Sequence, residues 1–371
     1  MKIAQIVCVF PPYKGGIGNI AYQHAHILKK NNIDITTFTP NYNQENSKES
    51  QGKKVIKIKT FFKYGKGAIL FLLIKKIKLY DTIYFHYPFF GTDIIIWLIK
   101  ILYPKKKLII HYHMDVEQYS LVTKILSLPS NIIKKSLFKK TEKIICASLD
   151  YVENCNISKY YKKNKNKFIE IPFGVDINNF YPDKNKKLTG QKNILFVGGL
   201  DKAHYFKGVH ILLQAVSKIN PQLNWSLNIV GKGELKNNYK NQAKILGIEE
   251  KINFLDNVDN KELKKIYRES HIFVLPSINK GEAFGIVLLE AMSSGLAVIA
   301  SNLPGVRKVF ENNISGLLFK IGDVENLKEK LEKLLINKEE LNKISINARK
   351  LVEEKYNWRK INKKLVSQFN L

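Results

Sequence analysis

Short apolar runs alternate with longer stretches whose apolar residues recur at helical spacing along almost the whole chain. The strand-like runs are residues 2–10, 34–39, 55–59, 82–86, 108–112, 143–147 and 167–171. A second series follows at 193–197, 226–230, 252–254, 272–275, 297–300 and 316–319. Several are apolar throughout rather than alternating, as parallel strands covered on both faces are. Helical patterns lie between many of them, at 17–31, 208–219, 260–269, 284–294 and 324–335. Alternating strand and helix predicts an α/β fold with doubly wound sheets. The rhythm breaks at Pro172-Phe173-Gly174-Val175-Asp176, stays polar through Gly190 and restarts at Ile194. Two domains follow: 1–180, a linker at 181–192, and 193–352, with a last helical segment at 353–371.

A chain of 371 residues suits two cores rather than one. Its formal charge is +29. Residues 1–180 carry 29 Lys and no Arg against 12 acids, and the rest carry 32 basic residues against 20 acids. Such a surplus attracts polyanions: nucleic acid, an anionic bilayer or nucleotide phosphates. A coding bias toward Lys, Asn and Ile would add to it. The scarcity of Arg argues against nucleic acid, where bidentate Arg contacts are common. Cys8, Cys146 and Cys155 have neither metal-ligand spacing nor the even count of a disulfide framework. The chain starts directly on a strand-like run, and no window holds about twenty clean apolar residues. The expectation is a cytoplasmic protein, free or peripheral.

Glycines, lysines and acids collect where strands end. Pro12-Tyr13-Lys14-Gly15-Gly16-Ile17-Gly18 follows the first strand. Its spacing is wrong for a dinucleotide-binding turn, and no acid ends the second strand. His113, in Tyr112-His113-Met114-Asp115, ends another strand, with His111 as a rival. In the second half, Gly198-Gly199 leads to Lys207-Gly208, an unfavourable place for a cation because a helix N-terminus follows. A bound diphosphate would resolve that conflict. Gly231-Lys232-Gly233 and Pro304-Gly305-Val306 end further strands. The segment Glu282-Ala283-Phe284-Gly285-Ile286-Val287-Leu288-Leu289-Glu290 sets two acids on either side of a helix start. Its first amides, at Phe284, Gly285 and Ile286, suit an anion. A nucleoside diphosphate sugar has hydroxyls at both ends of a diphosphate and fits this arrangement. Asp-x-Asp, His-x-x-x-His and Cys pairs are absent, so no metal and no other cofactor is expected.

Taken in order, these motifs resemble the retaining glycosyltransferases of the GT-B fold, the family of bacterial glycogen synthase, sucrose synthase and phosphatidylinositol mannosyltransferase. The resemblance covers nearly the whole chain. It implies two Rossmann-like domains facing a central cleft, the second binding the nucleotide sugar. The Tyr356-Asn357-Trp358 helix would cross back to the first domain. It also implies roles. Glu282 would contact the donor sugar, Glu290 the ribose hydroxyls, and Phe284, Gly285 and Ile286 the sugar and diphosphate. Lys207 would neutralise the leaving phosphate, His113 would hold the sugar, and Gly15 and Gly16 would approach the diphosphate. Residues near Gly231 and Val258 would meet the base. Many relatives carry Arg where this chain has Gly199, so Lys202 or His204 would have to supply that charge beside Lys207.

Phe61-Phe62-Lys63-Tyr64, the apolar run 68–74 and Lys75-Lys76-Ile77-Lys78, with the lysines of 121–140, suit an anionic membrane surface. The expected activity is metal-independent hexose transfer from a UDP- or GDP-sugar to a glycan acceptor. That acceptor would be lipid-linked, at the cytoplasmic face of the inner membrane, in surface polysaccharide or glycolipid biosynthesis. The alternatives are a nucleotide-sugar epimerase of the same fold and a basic nucleic-acid-binding protein.

Overall fold

The computed structural model describes residues 1–12, 15–42, 54–116, 121–183 and 190–369. Among the described residues the chain forms fifteen strands, the central ones of each sheet buried on both faces. In the first half these are β1 (Lys2–Ile6), β2 (Asp34–Pro40), β3 (Val55–Ile58), β4 (Lys63–Tyr64), β5 (Gly67–Ala68), β6 (Thr82–Tyr87), β7 (Lys107–Tyr112), β8 (Lys143–Cys146) and β9 (Phe168–Glu170). In the second half they are β10 (Lys192–Val197), β11 (Trp225–Val230), β12 (Ile252–Leu255), β13 (Ile272–Leu275), β14 (Ala297–Ser301) and β15 (Leu317–Phe319).

By their internal contacts the residues form two units: Met1–Pro172 with Asn362–Leu371, and Phe173–Ile361. The sheet of the first runs β3-β2-β1-β6-β7-β8-β9, that of the second β12-β11-β10-β13-β14-β15. Every neighbouring pair in both sheets is parallel. Strand order therefore reverses once in each sheet, between β1 and β6 and between β10 and β13. Ligands of open parallel sheets bind outside the C-terminal strand ends at such reversals. β4 and β5 form a separate antiparallel hairpin.

In the second unit, Ile194, Phe196, Leu227, Ile229, Val274 and Ile299 from the strands are sealed by Leu212, Leu213, Val216, Leu331 and Leu334 from helices Val209–Ser217 and Val324–Ile336. Burying each such side chain stabilises by about 1.5–3 kcal/mol before entropy is counted. Helix starts follow local capping. Asp259 accepts from the Glu262 N–H at 2.8 Å, and Asp323 from the Asn326 N–H at 2.9 Å.

The run expected at 2–10 leaves strand geometry after Ile6, where the chain turns toward Pro11 and Pro12. The segment expected to close the first domain, 173–180, packs within the second unit. The Val175 N–H donates to the Tyr356 carbonyl at 2.9 Å, and Phe173 meets Phe284 edge-on. Part of the expected linker, 184–189, lies outside the described residues. The last helix, Trp358–Val366, begins in the second unit and ends in the first, where Phe369 packs edge-on against Tyr84 at 5.0 Å. No helix among the described residues is long and apolar enough to cross a membrane.

Candidate functional site

The reversal in the second sheet brings two loops together. After β10, Gly198-Gly199-Leu200 leads to Asp201, whose carboxylate caps the short turn Lys202–Lys207 by accepting from the His204 N–H at 3.1 Å. Gly208 then adopts φ +69° and starts helix Val209–Ser217. A Cβ there would lie 2.0 Å from the carbonyl oxygen of Pro276, in the loop after β13. Only glycine permits both the left-handed angle and that approach. The Ile278 N–H donates to the Phe206 carbonyl at 2.7 Å, closing one loop on the other.

Lys207 and Glu282 meet across this junction. The ammonium lies 2.6 Å from Oε2, and the side chains are only 15% and 11% exposed. Ser277 Oγ donates to the same carboxylate at 3.4 Å. The conflict expected at Lys207, a cation ahead of a helix start, is thus answered here by Glu282. The pair is an ion pair in water-poor surroundings, held by two loops rather than by one element.

Gly285, at φ +84°, caps helix Ile286–Ser293. The expected helix 284–294 is therefore two residues shorter at its start, and Gly285, Ile286 and Val287 head its first turn. Phe284 is buried. Glu290 is the fifth residue of the helix, and its Oε2 accepts from the Tyr267 hydroxyl at 2.8 Å. Burial lifts this carboxyl to about 7, against the lowering effect of the tyrosine bond. Tyr267, on helix Asn260–Glu269, was not foreseen. Its position within an otherwise ordinary amphipathic helix gives no sign of a carboxyl partner.

Gly231 follows β11 and touches the same cluster: a Cβ there would fall 1.9 Å from the Gly198 carbonyl. Val258, half-buried, follows β12 just before the Asp259 cap. At Gly199 the structure separates the two expected substitutes. The space a side chain would need is filled by the His204 ring, whose Nδ1 lies 2.7 Å from the ideal Cβ position. Asp201 holds that nitrogen at 2.8 Å. Lys202 is exposed, and its backbone N–H donates to Glu234 at 3.0 Å.

In the first unit, Gly15 precedes and Gly16 opens helix Gly16–Lys30, while Tyr13 and Lys14 lie outside the described residues. His113 follows β7 and is buried, as is its rival His111. The rings stack 4.2 Å apart at 8°. His86 Nδ1 lies 2.8 Å from His113 Nε2, and the Tyr84 hydroxyl bridges His24 Nδ1 and His111 Nδ1 at 2.8 Å each. Burial lowers all four histidines below their ordinary value, His24 to about 3. They are neutral at physiological pH. His24, Tyr84 and His86 were not foreseen. Their one sequence signal is polar aromatic residues inside otherwise apolar strands and helix faces. Nitrogens of His86, His111 and His113 lie within 4.8 Å of one another. Their rings are within 20° of parallel, however, so the in-plane lone pairs do not converge on one point.

An open pocket of about 480 Å³ lies at the ends of β6 and β7. Tyr87, Phe90, Asp115, Asn131, Lys134 and Asn156 are among its walls. Asp115 accepts from the Tyr112 hydroxyl and from the Asn156 N–H, the latter at 2.7 Å. The Lys134 ammonium lies 5.9 Å from the Tyr87 ring centre, and burial lowers its pKa. Helix Leu121–Lys139, which carries Asn131 and Lys134, turns Ser127, Ser130, Leu137 and Phe138 inward. Leu121, Ile125, Leu128 and Ile132 point outward and are 54–79% exposed, with exposed Lys124, Lys135 and Lys139 on the same helix. Up to Ile132 this is the reverse of an ordinary core-facing helix, whereas Leu137 and Phe138 face the core as usual.

Comparison with known proteins agrees with this geometry. A family model described as "Glycosyl transferases group 1" matches residues 178–351. The O-antigen chain mannosyltransferase C of Escherichia coli is 25% identical over 340 residues, 88% of this chain and 86% of that protein. A phosphatidyl-myo-inositol mannosyltransferase of Mycobacterium leprae is 34% identical over 174 residues, 46% of this chain and 44% of that protein. Among solved structures, sucrose-phosphate synthase from Thermosynechococcus elongatus superposes with a TM-score of 0.81 at 19% identity, covering 99% and 98% of the two chains. Anabaena HepE, solved in complex with UDP-glucose, superposes at 0.71 with 17% identity, covering 100% and 99%.

Proposed function

The chain belongs to the glycosyltransferases of the GT-B fold, and on that premise we propose that it is a retaining, metal-independent hexosyltransferase using a UDP- or GDP-sugar. The observation that carries this reading is the Lys207–Glu282 pair at the reversal of the second sheet, with Glu290 on the adjoining helix.

Without a ligand, Lys207 and Glu282 satisfy each other. A nucleotide sugar brings a partner for each: phosphate oxygens for the ammonium, sugar hydroxyls for the carboxylate. Lys207 then stabilises the negative charge that grows on the leaving diphosphate, together with the amides of Phe284, Gly285 and Ile286. His204, seated over Gly199 and oriented by Asp201, is the candidate for a second phosphate partner there. Glu290 accepts from the ribose hydroxyls, a role that needs its ionised form. Gly231 and Val258 border the base, His113 holds the donor sugar, and Gly15 and Gly16 approach the diphosphate. The E. coli and M. leprae relatives carry mannosyltransferase names, which favours a mannose-like hexose.

The acceptor is a glycan, taken by the pocket around Asp115, Asn131, Lys134 and Asn156. Its mixture of carboxylate, amides, ammonium and the Tyr87 ring suits a hydroxyl-rich ring with one apolar face. The outward apolar stripe on helix Leu121–Lys139, flanked by lysines, suits an anionic bilayer and hence a lipid-linked acceptor in surface polysaccharide or glycolipid biosynthesis. The work would be done at the cytoplasmic face of the inner membrane.

A thermal-shift screen against UDP-, GDP-, ADP- and dTDP-sugars is the direct test. One nucleotide should stabilise the protein in the presence of a chelator, and Lys207→Ala and Glu290→Ala should remove the shift. Equal binding by parent and variants defeats the site assignment. NMR of the product then reads the anomeric configuration, and inversion defeats the retaining reading. Co-sedimentation with anionic and neutral vesicles tests the surface: no preference for the anionic ones removes the membrane proposal.

A further inference from the structure

We propose that Gln5 and His86 form a buried relay that fixes the proton of the His113 ring on Nδ1, making His113 a hydrogen-bond donor rather than a proton acceptor toward the donor sugar. The inference rests on the sugar-holding role proposed for His113.

The relay starts at a backbone carbonyl, which can only accept. Gln5, on β1 and fully buried, has its side-chain Nε2 2.9 Å from the Ala21 carbonyl oxygen. An amide turned the other way would set oxygen against oxygen there. The opposite end of the amide agrees: the Thr37 hydroxyl donates to Oε1 at 2.7 Å. Nε2 carries two hydrogens. One goes to Ala21 and the second faces His86 Nε2 at 2.9 Å. His86 Nε2 is therefore the acceptor, and a neutral His86 keeps its proton on Nδ1. That proton lies on the 2.8 Å line to His113 Nε2. His113 Nε2 is then an acceptor in turn, and the single proton of a neutral His113 sits on Nδ1.

The surroundings keep the rings neutral. His24, Tyr84, His86 and His111 pack against one another and His113 within the buried stack, and none of these groups is a carboxylate. A proton added to His113 Nε2 would face the His86 N–H. Accommodating it would require His86 to move its proton to Nε2, where it would face the Gln5 N–H. Gln5 would then have to turn its amide and lose Ala21. Two side chains would rearrange and the Ala21 bond would be lost for one proton, so the relay opposes His113 acting as a base. A lone buried imidazole has no such restriction.

Tautomers are read directly by long-range proton–nitrogen correlation NMR on protein labelled with ¹⁵N in histidine. In the unaltered protein, His113 and His86 should each show a protonated Nδ1 and an unprotonated Nε2 across neutral pH. A protonated Nε2 on His113, or a cationic ring near pH 7, overturns the proposal without any variant. Gln5→Met keeps the volume and removes the N–H that faces His86. It should give a mixture of tautomers at His113 and lower the rate of sugar transfer about tenfold, the loss of one oriented hydrogen bond. Nucleotide binding should stay unchanged. If transfer falls while the tautomer stays fixed, Gln5 acts only through packing and the relay is wrong. If the tautomers are as stated but no sugar nucleotide binds, the functional reading fails and the relay stands.

Discussion

The two sheets reverse strand order in the same way, yet the chemistry at the two reversals is opposite. In the second unit the central strands are apolar, with Leu195, Phe196 and Val274 fully buried, and the charged groups stand in the loops beyond them. In the first unit the central strands themselves carry Gln5, His86 and His111, fully buried and uncharged. A charge taken out of water needs a partner of opposite sign, and Lys207 and Glu282 supply it to each other. Polar groups deeper in a sheet need hydrogen bonds, which neutral imidazoles can both give and receive. On the proposed function, one reversal exchanges partners with the donor while the other holds a fixed pattern.

Removing one member of the ion pair should give the largest effect. Lys207→Ala or Glu282→Ala should lower kcat for sugar transfer by about 10²–10³-fold, the scale of losing one transition-state stabiliser. Each single variant should also melt lower than Lys207→Met/Glu282→Gln, because one partner alone leaves a charge without compensation. Equal melting of all three would show that the two side chains are not coupled.

Gly208→Ala comes next. The added Cβ meets the Pro276 carbonyl at 2.0 Å at φ +69°, and a loss of about 2–3 kcal/mol should appear in denaturant unfolding. In the first unit, Tyr84→Phe removes the hydroxyl bonded to His24 and His111 and should lower stability by about 1–3 kcal/mol. Nucleotide affinity, which the proposed site sets in the other unit, should not change. If it does, the separation drawn between the two reversals fails.

Glu290 gives a smaller, pH-dependent effect. Its carboxyl rises from 4.5 to about 7 on folding, so the folded protein holds the extra proton between those values. Stability from this group is present below about 4.5 and is lost as pH rises toward 7. Donor binding through the carboxylate runs the other way, weakening as pH falls below 7. Glu290→Gln should flatten both trends, as seen by melting and by titration calorimetry across pH 5–8. The smallest effect is expected at Lys202→Ala. That side chain is exposed, and the variant should bind donor like the parent, whereas His204→Ala should weaken binding.

Much of the fold can be read from the chain because parallel strands covered on both faces are mostly apolar. The runs at 193–197, 226–230 and 272–275 coincide with β10, β11 and β13 to within a residue. The motif residues Lys207 and Glu282 stand in loops ahead of helix starts, and Glu290 lies one turn into the helix that follows Gly285, because glycines and capping residues mark those starts locally. The partners of those residues could not be read the same way. Lys207 and Glu282 are 75 positions apart, and their contact depends on β10 lying beside β13. Tyr267 reaches Glu290 only through the packing of two helices. The stripe Leu121, Ile125, Leu128 and Ile132 has a spacing that fits a core helix equally well, and only the fold shows that it faces outward.

The sequence by itself determined the alternation of strand and helix, the glycine-marked loops and the places where charge collects, since each follows from local geometry and from which residues water excludes. The tertiary structure alone decided which acid meets Lys207, which ring fills the space beside Gly199, and that Gln5 and His86 stand behind His113. Those are contacts between residues far apart in the chain. Their energies depend on distance and burial, which no local pattern encodes.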